Sequence, residues 1–159
     1  MDRCEQACKY HEQGCNCSQS VLAAFSDVTG LDEQTGMKLG AGFGAGAGTG
    51  ELCGAVSGAV MVLGLADDEN IKNINHSAGE NNNNINPVEY KRRVMKLSKE
   101  LQARFREIFG ALRCQELLKL DYTPDEKTPA ASRLGVTNHC RMMIVTAVEL
   151  TEKLLKEKA

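Results

Sequence analysis

The segment Gly40 to Leu65 limits the possible folds more than any other part of the chain. Glycine occupies every even position from Gly40 to Gly50, in GAGFGAGAGTG, and an apolar run, LCGAVSGAVMVLGLA, follows from Leu52 to Ala66. Glycine interrupts helix and strand alike, so the first part reads as a loop or a tightly packed crossing. The second part reads as a helix from about Glu51 to Leu65, with Leu52, Val56, Ala59, Val60 and Leu63 on its apolar side. Gly54 and Gly58, with Ala55 and Ala59, leave one stripe of that helix nearly bare. Each interior glycine costs roughly 1 kcal/mol of helix propensity. That cost is recovered where a second backbone or a cofactor comes close. The run is too short to span a bilayer.

The rest of the chain carries the same helical period. A polar helix is expected over residues 2–13. A second is capped by Asn16 or Ser18, carries Val21, Leu22, Phe25 and Val28, and closes at Gly30; a short one covers Asp32 to Leu39. Asn86-Pro87-Val88-Glu89 is a strong helix start, followed by Val94, Leu97, Leu101, Phe105, Ile108 and Leu112. Cys114 to Leu120 suggests one more turn of helix, Thr123 to Thr137 a loop, and Asn138 to Lys156 the last helix. Residues 66–86 hold eight asparagines and read as a surface loop. Alternating strand patterns are absent. The expectation is an all-α, single-domain bundle of six or seven helices. At 159 residues such a chain hides about 70% of its unfolded surface.

Composition narrows the function. The formal net charge is −2, aromatics make up 4% and Trp is absent, so neither a basic footprint nor a stacking platform for nucleic acid is present. The opening residues, MDRCEQACKYHEQ, are polar and charged, unlike a secretory signal. The protein is expected to be cytoplasmic, with no membrane insertion. In that compartment seven cysteines suggest metal binding or catalysis more than a disulfide frame. The glycine run fits neither the dinucleotide fingerprint nor a phosphate-binding loop, since no Lys follows Gly50 and no strand precedes Gly40.

No two cysteines form a C-x-x-C pair. Cys17, Cys53, Cys114 and Cys140 instead fall at expected helix starts. There, free N–H groups and the helix dipole favour thiolate, the form that attacks disulfides and binds metal. Four such thiols converge if the helix starts meet at one end of the bundle. A further set, Cys4, Cys8, His11 and Cys15, is spaced 4, 3 and 4 apart and shares one helix face if the first helix reaches Cys15. It is a candidate second metal site, although Gly14 tends to end that helix first.

The motif Cys53-Gly54-Ala55-Val56-Ser57-Gly58, with its glycine-rich lead, resembles the CGAxxG element of the C-GCAxxG-C-C family of redox-active, four-cysteine proteins. GCNCSQSVLAAF around Cys17, FREIFGALRCQELLKLD around Cys114 and HCRMMIVTAVELTEKLL around Cys140 fit the same family. The resemblance implies that Cys17, Cys53, Cys114 and Cys140 are the family cysteines and that the role is redox. Similar cysteine domains in split-Soret-type cytochromes point to an iron–sulfur cluster as one cofactor. Cys4, Cys8 and Cys15 are additions to the pattern.

Three functions remain open on these grounds. In the first, the four thiols ligate an iron–sulfur cluster, with Gly54 and Gly58 giving it room, or cycle between dithiol and disulfide with a redox partner protein. In the second, the chain is a zinc or copper(I) module, or a metal-trafficking accessory, without redox turnover. In the third, it is a helical interaction protein with inert core cysteines. A homo-oligomer is compatible with all three.

Overall fold

The computed structural model describes residues 1–66, 87–120 and 128–158. Among these residues there are nine α-helices and no strand. They are α1 (Arg3–Glu12), α2 (Cys17–Ala24), α3 (Ser26–Thr29), α4 (Glu33–Gly40), α5 (Gly54–Leu65), α6 (Pro87–Phe109), α7 (Cys114–Leu117), α8 (Pro129–Arg133) and α9 (His139–Lys158). The fold is all-α, as the helical period predicts. Six helices run eight residues or longer. None among the described residues is long and apolar enough to cross a membrane.

The helix starts follow from local chemistry. Asp2 accepts from the Glu5 amide at 2.9 Å while the Glu5 carboxylate accepts from the Asp2 amide at 2.8 Å. Asn16 and Gln19 form the same reciprocal pair at the head of α2, both bonds 2.9 Å. Each pair satisfies two donors that a helix start otherwise leaves open. Asp32 caps α4 and Thr128 caps α8, with Pro129 in its first turn. That last helix lies within the stretch expected to be a loop; the Thr128 hydroxyl, accepting from Ala131 N at 3.2 Å, is what winds it. Residues 67–86 lie outside the described residues, and with them Asn86 and nearly all of the asparagine-rich segment.

The core lies around α5 and α9. Ala55, Val56, Ala59, Val62 and Leu63 of α5 are fully buried, as are Ile144, Val145, Ala147 and Val148 of α9. α2 packs on α5 and α4, α1 on α2 and α9, and α6 on α5 and α9. The bare stripe of α5 is the reason α2 can lie so close. A Cβ built on Gly58 would stand 2.9 Å from Ser18 O and 3.1 Å from Val21 Cβ. Gly58, expected to make room for a cofactor, therefore makes room for the α2 backbone.

Past Gly40 the glycine run forms no strand and no regular α-helix, only short turns broken by left-handed residues. After a short helical turn at Ala41–Phe43, the chain turns left-handed, with φ of 52°, 63°, 55° and 76° at Ala45, Gly46, Ala47 and Gly48. A left-handed residue with a Cβ costs roughly 1–2 kcal/mol, so the two alanines are held there by their surroundings. Gly44 sits under Asn16: a Cβ there would fall 2.7 Å from the Asn16 side chain. The Asn16 amide in turn donates to Ala41 O at 3.0 Å and Gly40 O at 3.3 Å, tying the run to the head of α2.

Candidate functional site

Each of the four family cysteines sits at the N-terminal end of a helix. Cys17 and Cys114 are the first residues of α2 and α7, Cys140 is the second of α9, and Cys53 immediately precedes α5. All four line one cavity of about 230 Å³, together with His11, Asn16, Gly54 and the apolar groups of Ala45, Leu117, Leu118 and Met143. Gly54 faces this space, but its missing Cβ accommodates Phe43 O, 2.8 Å away, and Cys17 Cβ, 3.3 Å away. It serves the crossing of the glycine run over α5 and the placement of Cys17.

Cys53 and Cys114 are brought together by the backbone. Leu52 and Arg113 form an isolated antiparallel bridge. Cys53 N donates to Leu112 O at 2.9 Å, and Cys114 N donates to Glu51 O at 2.6 Å. Outside the bridge, the Arg113 guanidinium holds the Glu51 carboxylate in two hydrogen bonds of 3.0 and 3.1 Å. Three residues on each side are too short a stretch to show strand alternation, so no sequence signal marked this clamp.

The thiols differ in protonation. Cys17 and Cys140 both line the cavity, and all seven cysteines are free. The Cys17 thiol donates toward Cys140 and brings the Cys140 pKa down to about 6; burial opposes this and the charge of His139 assists it. Cys17 is pushed far up, first by giving that hydrogen bond and then by burial. Cys53 rises to about 11 because it is buried, although the amides of Val56 and Ala55 favour its thiolate. Cys114 rises through burial and then through the negative charge of Cys140. The expectation that every helix start would favour thiolate is thus corrected. α2 and α7 are short and supply little dipole, so the Cys140 interaction followed by burial wins at Cys17, and desolvation wins at Cys114. Cys140 starts a 20-residue helix and has a thiol donor beside it.

The set Cys4, Cys8, His11 and Cys15 is not brought together. α1 ends at Glu12 and Gly14 turns with φ +102°, so Cys15 leaves the helix face. Cys4 is buried in the core, donates to Val145 O at 3.7 Å and has its pKa pushed up to about 12 by burial. Cys8 lines a separate groove with Glu5, Lys9, Glu12 and Arg141. Cys15 is raised by burial and by Glu33. His11 alone reaches the four-thiol cavity, and sequence spacing gave no hint of that placement. Among the described residues no three His, Cys, Asp or Glu side chains are arranged to hold one metal ion.

A helical chain with four cysteines at helix ends around one cavity defines a class of cysteine-based proteins. The family model described as "Putative redox-active protein (C_GCAxxG_C_C)" matches residues 15–154, and the chain belongs to that family. Comparison with curated proteins and with solved structures gave no match.

Proposed function

We propose that the protein is a thiol–disulfide redox protein in which Cys140 is the attacking thiolate and Cys17 the resolving thiol. One observation carries this reading: Cys140 and Cys17 line the same cavity, and Cys140, with the Cys17 thiol as the first cause, is the one thiol of the four shifted toward thiolate. The thiolate is the nucleophile in exchange, and an attacking thiol with a pKa near or below ambient pH is well poised.

The step balances as follows. Cys140 Sγ⁻ attacks one sulfur of a substrate disulfide, forming a mixed disulfide and expelling the other sulfur as thiolate. Cys17 then attacks Cys140 Sγ, closing a Cys17–Cys140 disulfide and releasing the bound half, which takes the Cys17 proton. The protein loses two electrons and the substrate disulfide gains them. A redox partner protein would restore the dithiol.

The test is titration of the reduced protein against dithiol/disulfide buffers, with the products mapped by mass spectrometry. A two-electron transition that closes Cys17 to Cys140, and that disappears in Cys140→Ser, is expected. Recovery of both thiols unmodified across the whole range of potentials would overturn the reading.

A second reading is favoured by a separate observation: all four thiols, not two, face the same apolar-walled cavity. Four thiolates are the usual ligand set for an iron–sulfur cluster, so Cys17, Cys53, Cys114 and Cys140 fit as its holders. When bound, such a cluster would supply one-electron transfer. Anaerobic incubation with iron and sulfide tests it. Brown protein that requires all four cysteines supports the cluster, and colourless protein with a working Cys17–Cys140 couple supports the dithiol.

A further inference from the structure

We infer that His11 is a catalytic residue of the thiol site, held by Arg141 so that its Nε2–H faces the cavity and hydrogen-bonds the sulfur that leaves during exchange. The inference rests on the dithiol reading above. His11 lies in α1, ahead of the family match, which begins at residue 15.

Three contacts build it. His11 lines the cavity with Cys17, Cys53, Cys114 and Cys140. Its Nδ1 accepts from Arg141 Nε at 3.4 Å. Arg141 also pairs with Glu12 at 3.4 Å, and its own amide donates to Asn138 at 3.1 Å. Arg141 directly follows Cys140 in α9. The guanidinium therefore links the imidazole of α1 to the helix that carries the attacking thiol. An arginine cannot accept a proton, so its donation to Nδ1 fixes the tautomer with hydrogen on Nε2. Burial first, and then the Arg141 charge, lower the pKa of His11, which keeps the ring neutral. A neutral ring gives an N–H donor without adding a cation to the cavity.

The chemistry calls for such a donor. When Cys140 attacks a disulfide R–S–S–R′, the bond to R′ breaks and negative charge collects on that sulfur. Its departure is slower when R′SH is a weak acid. A hydrogen bond from Nε2–H offsets that charge, while His11 keeps its proton throughout. Hydrogen bonds to charged groups correspond to rate effects on the order of ten- to a hundredfold.

The test compares two disulfides at one pH, using the whole chain. One is bis(hydroxyethyl) disulfide, whose released alkyl thiol is a weak acid. The other is a nitroaromatic disulfide, whose released thiolate needs little help. His11→Leu is expected to slow the alkyl disulfide about ten- to a hundredfold more than the aromatic one. His11→Gln, which keeps an N–H near the Nε2 position, restores most of that difference. Equal slowing of both substrates would mark a structural role and overturn the inference, as would no slowing of either. Should His11→Leu fail to fold, Arg141→Met carries the same test: with Nδ1 unanchored, the alkyl substrate is again expected to suffer more, and a uniform effect again overturns it. The parent reading fails separately, and takes this inference with it, if Cys140→Ser reacts as fast as the parent with both disulfides.

Discussion

A thiol at a helix start becomes reactive only when the dipole and its hydrogen-bond donors exceed the cost of burying the charge. Cys140 meets that condition and Cys53, 4% exposed and raised to about 11, does not. The Cys140 pKa is depressed to about 6, so its thiolate is present above that pH and lost below it. Its alkylation by iodoacetamide is expected to be flat from neutral pH upward and to fall about tenfold per unit below pH 6. A rate that keeps climbing to the ordinary thiol range, about 8.5, would show the shift to be absent. Among the buried thiols, Cys4→Ser is expected to leave the redox titration intact, because Cys4 bonds Val145 O in the core and is not part of the cavity lining. Cys53→Ser is expected to abolish cluster assembly while the Cys17–Cys140 couple persists, which separates the two proposed readings by mass spectrometry and colour. That Cys17, Cys53, Cys114 and Cys140 stand at helix ends was legible in the sequence, and they line one cavity. Which of them is shifted toward thiolate was not, because that depends on how residues 17 and 140, far apart in the chain, sit in the folded cavity.

Among the elements, the glycines of α5 separate two roles that sequence alone leaves joined. Gly58→Ala drives a Cβ to 2.9 Å from Ser18 O, a backbone atom that cannot move aside cheaply. It is expected to cost about 1–3 kcal/mol, read as a lower urea midpoint, with loss of the α2–α5 contact. Gly42→Ala is the control: nothing lies within 4 Å of its Cβ position, and stability should hold within about 0.5 kcal/mol. Helix periodicity and caps were readable because both are local: Asn16 and Pro87 mark helix starts in the chain itself. The bridge of Leu52 with Arg113, the left-handed turn at Ala45–Gly48 and the seat of His11 were not. Each depends on a partner supplied by a distant segment, or on a conformation that several glycine spacings could equally adopt.

For the molecule as a whole, Arg3 fastens the N-terminal helix to three others. It donates to Ala24 O at 2.8 Å and to Asp27 Oδ2 at 2.7 Å, lies 3.3 Å from Glu152 of α9, and sits 4.8 Å over the Phe25 ring. Arg3→Met is expected to destabilise by about 1–3 kcal/mol, since it strands a half-buried carbonyl and loses a cation over an aromatic face. Asp27→Asn should cost less than about 1 kcal/mol, because Asp27 is 65% exposed and its pair is screened. Similar losses in both variants, by thermal melting, would mean that the ion pair alone fastens α1.

The clamp at Leu52 and Arg113 has one more effect. Two of the four residues whose thiols face the cavity, Cys53 and Cys114, are also the two whose amides close the clamp. A sulfur that shifts to bond iron or another sulfur pulls on the same residue's N–H. Deuterium uptake at those two amides, one from each half of the chain, is therefore expected to change when all four thiols bind a cluster and to stay constant when only Cys17 and Cys140 close a disulfide, without any label on the sulfur atoms.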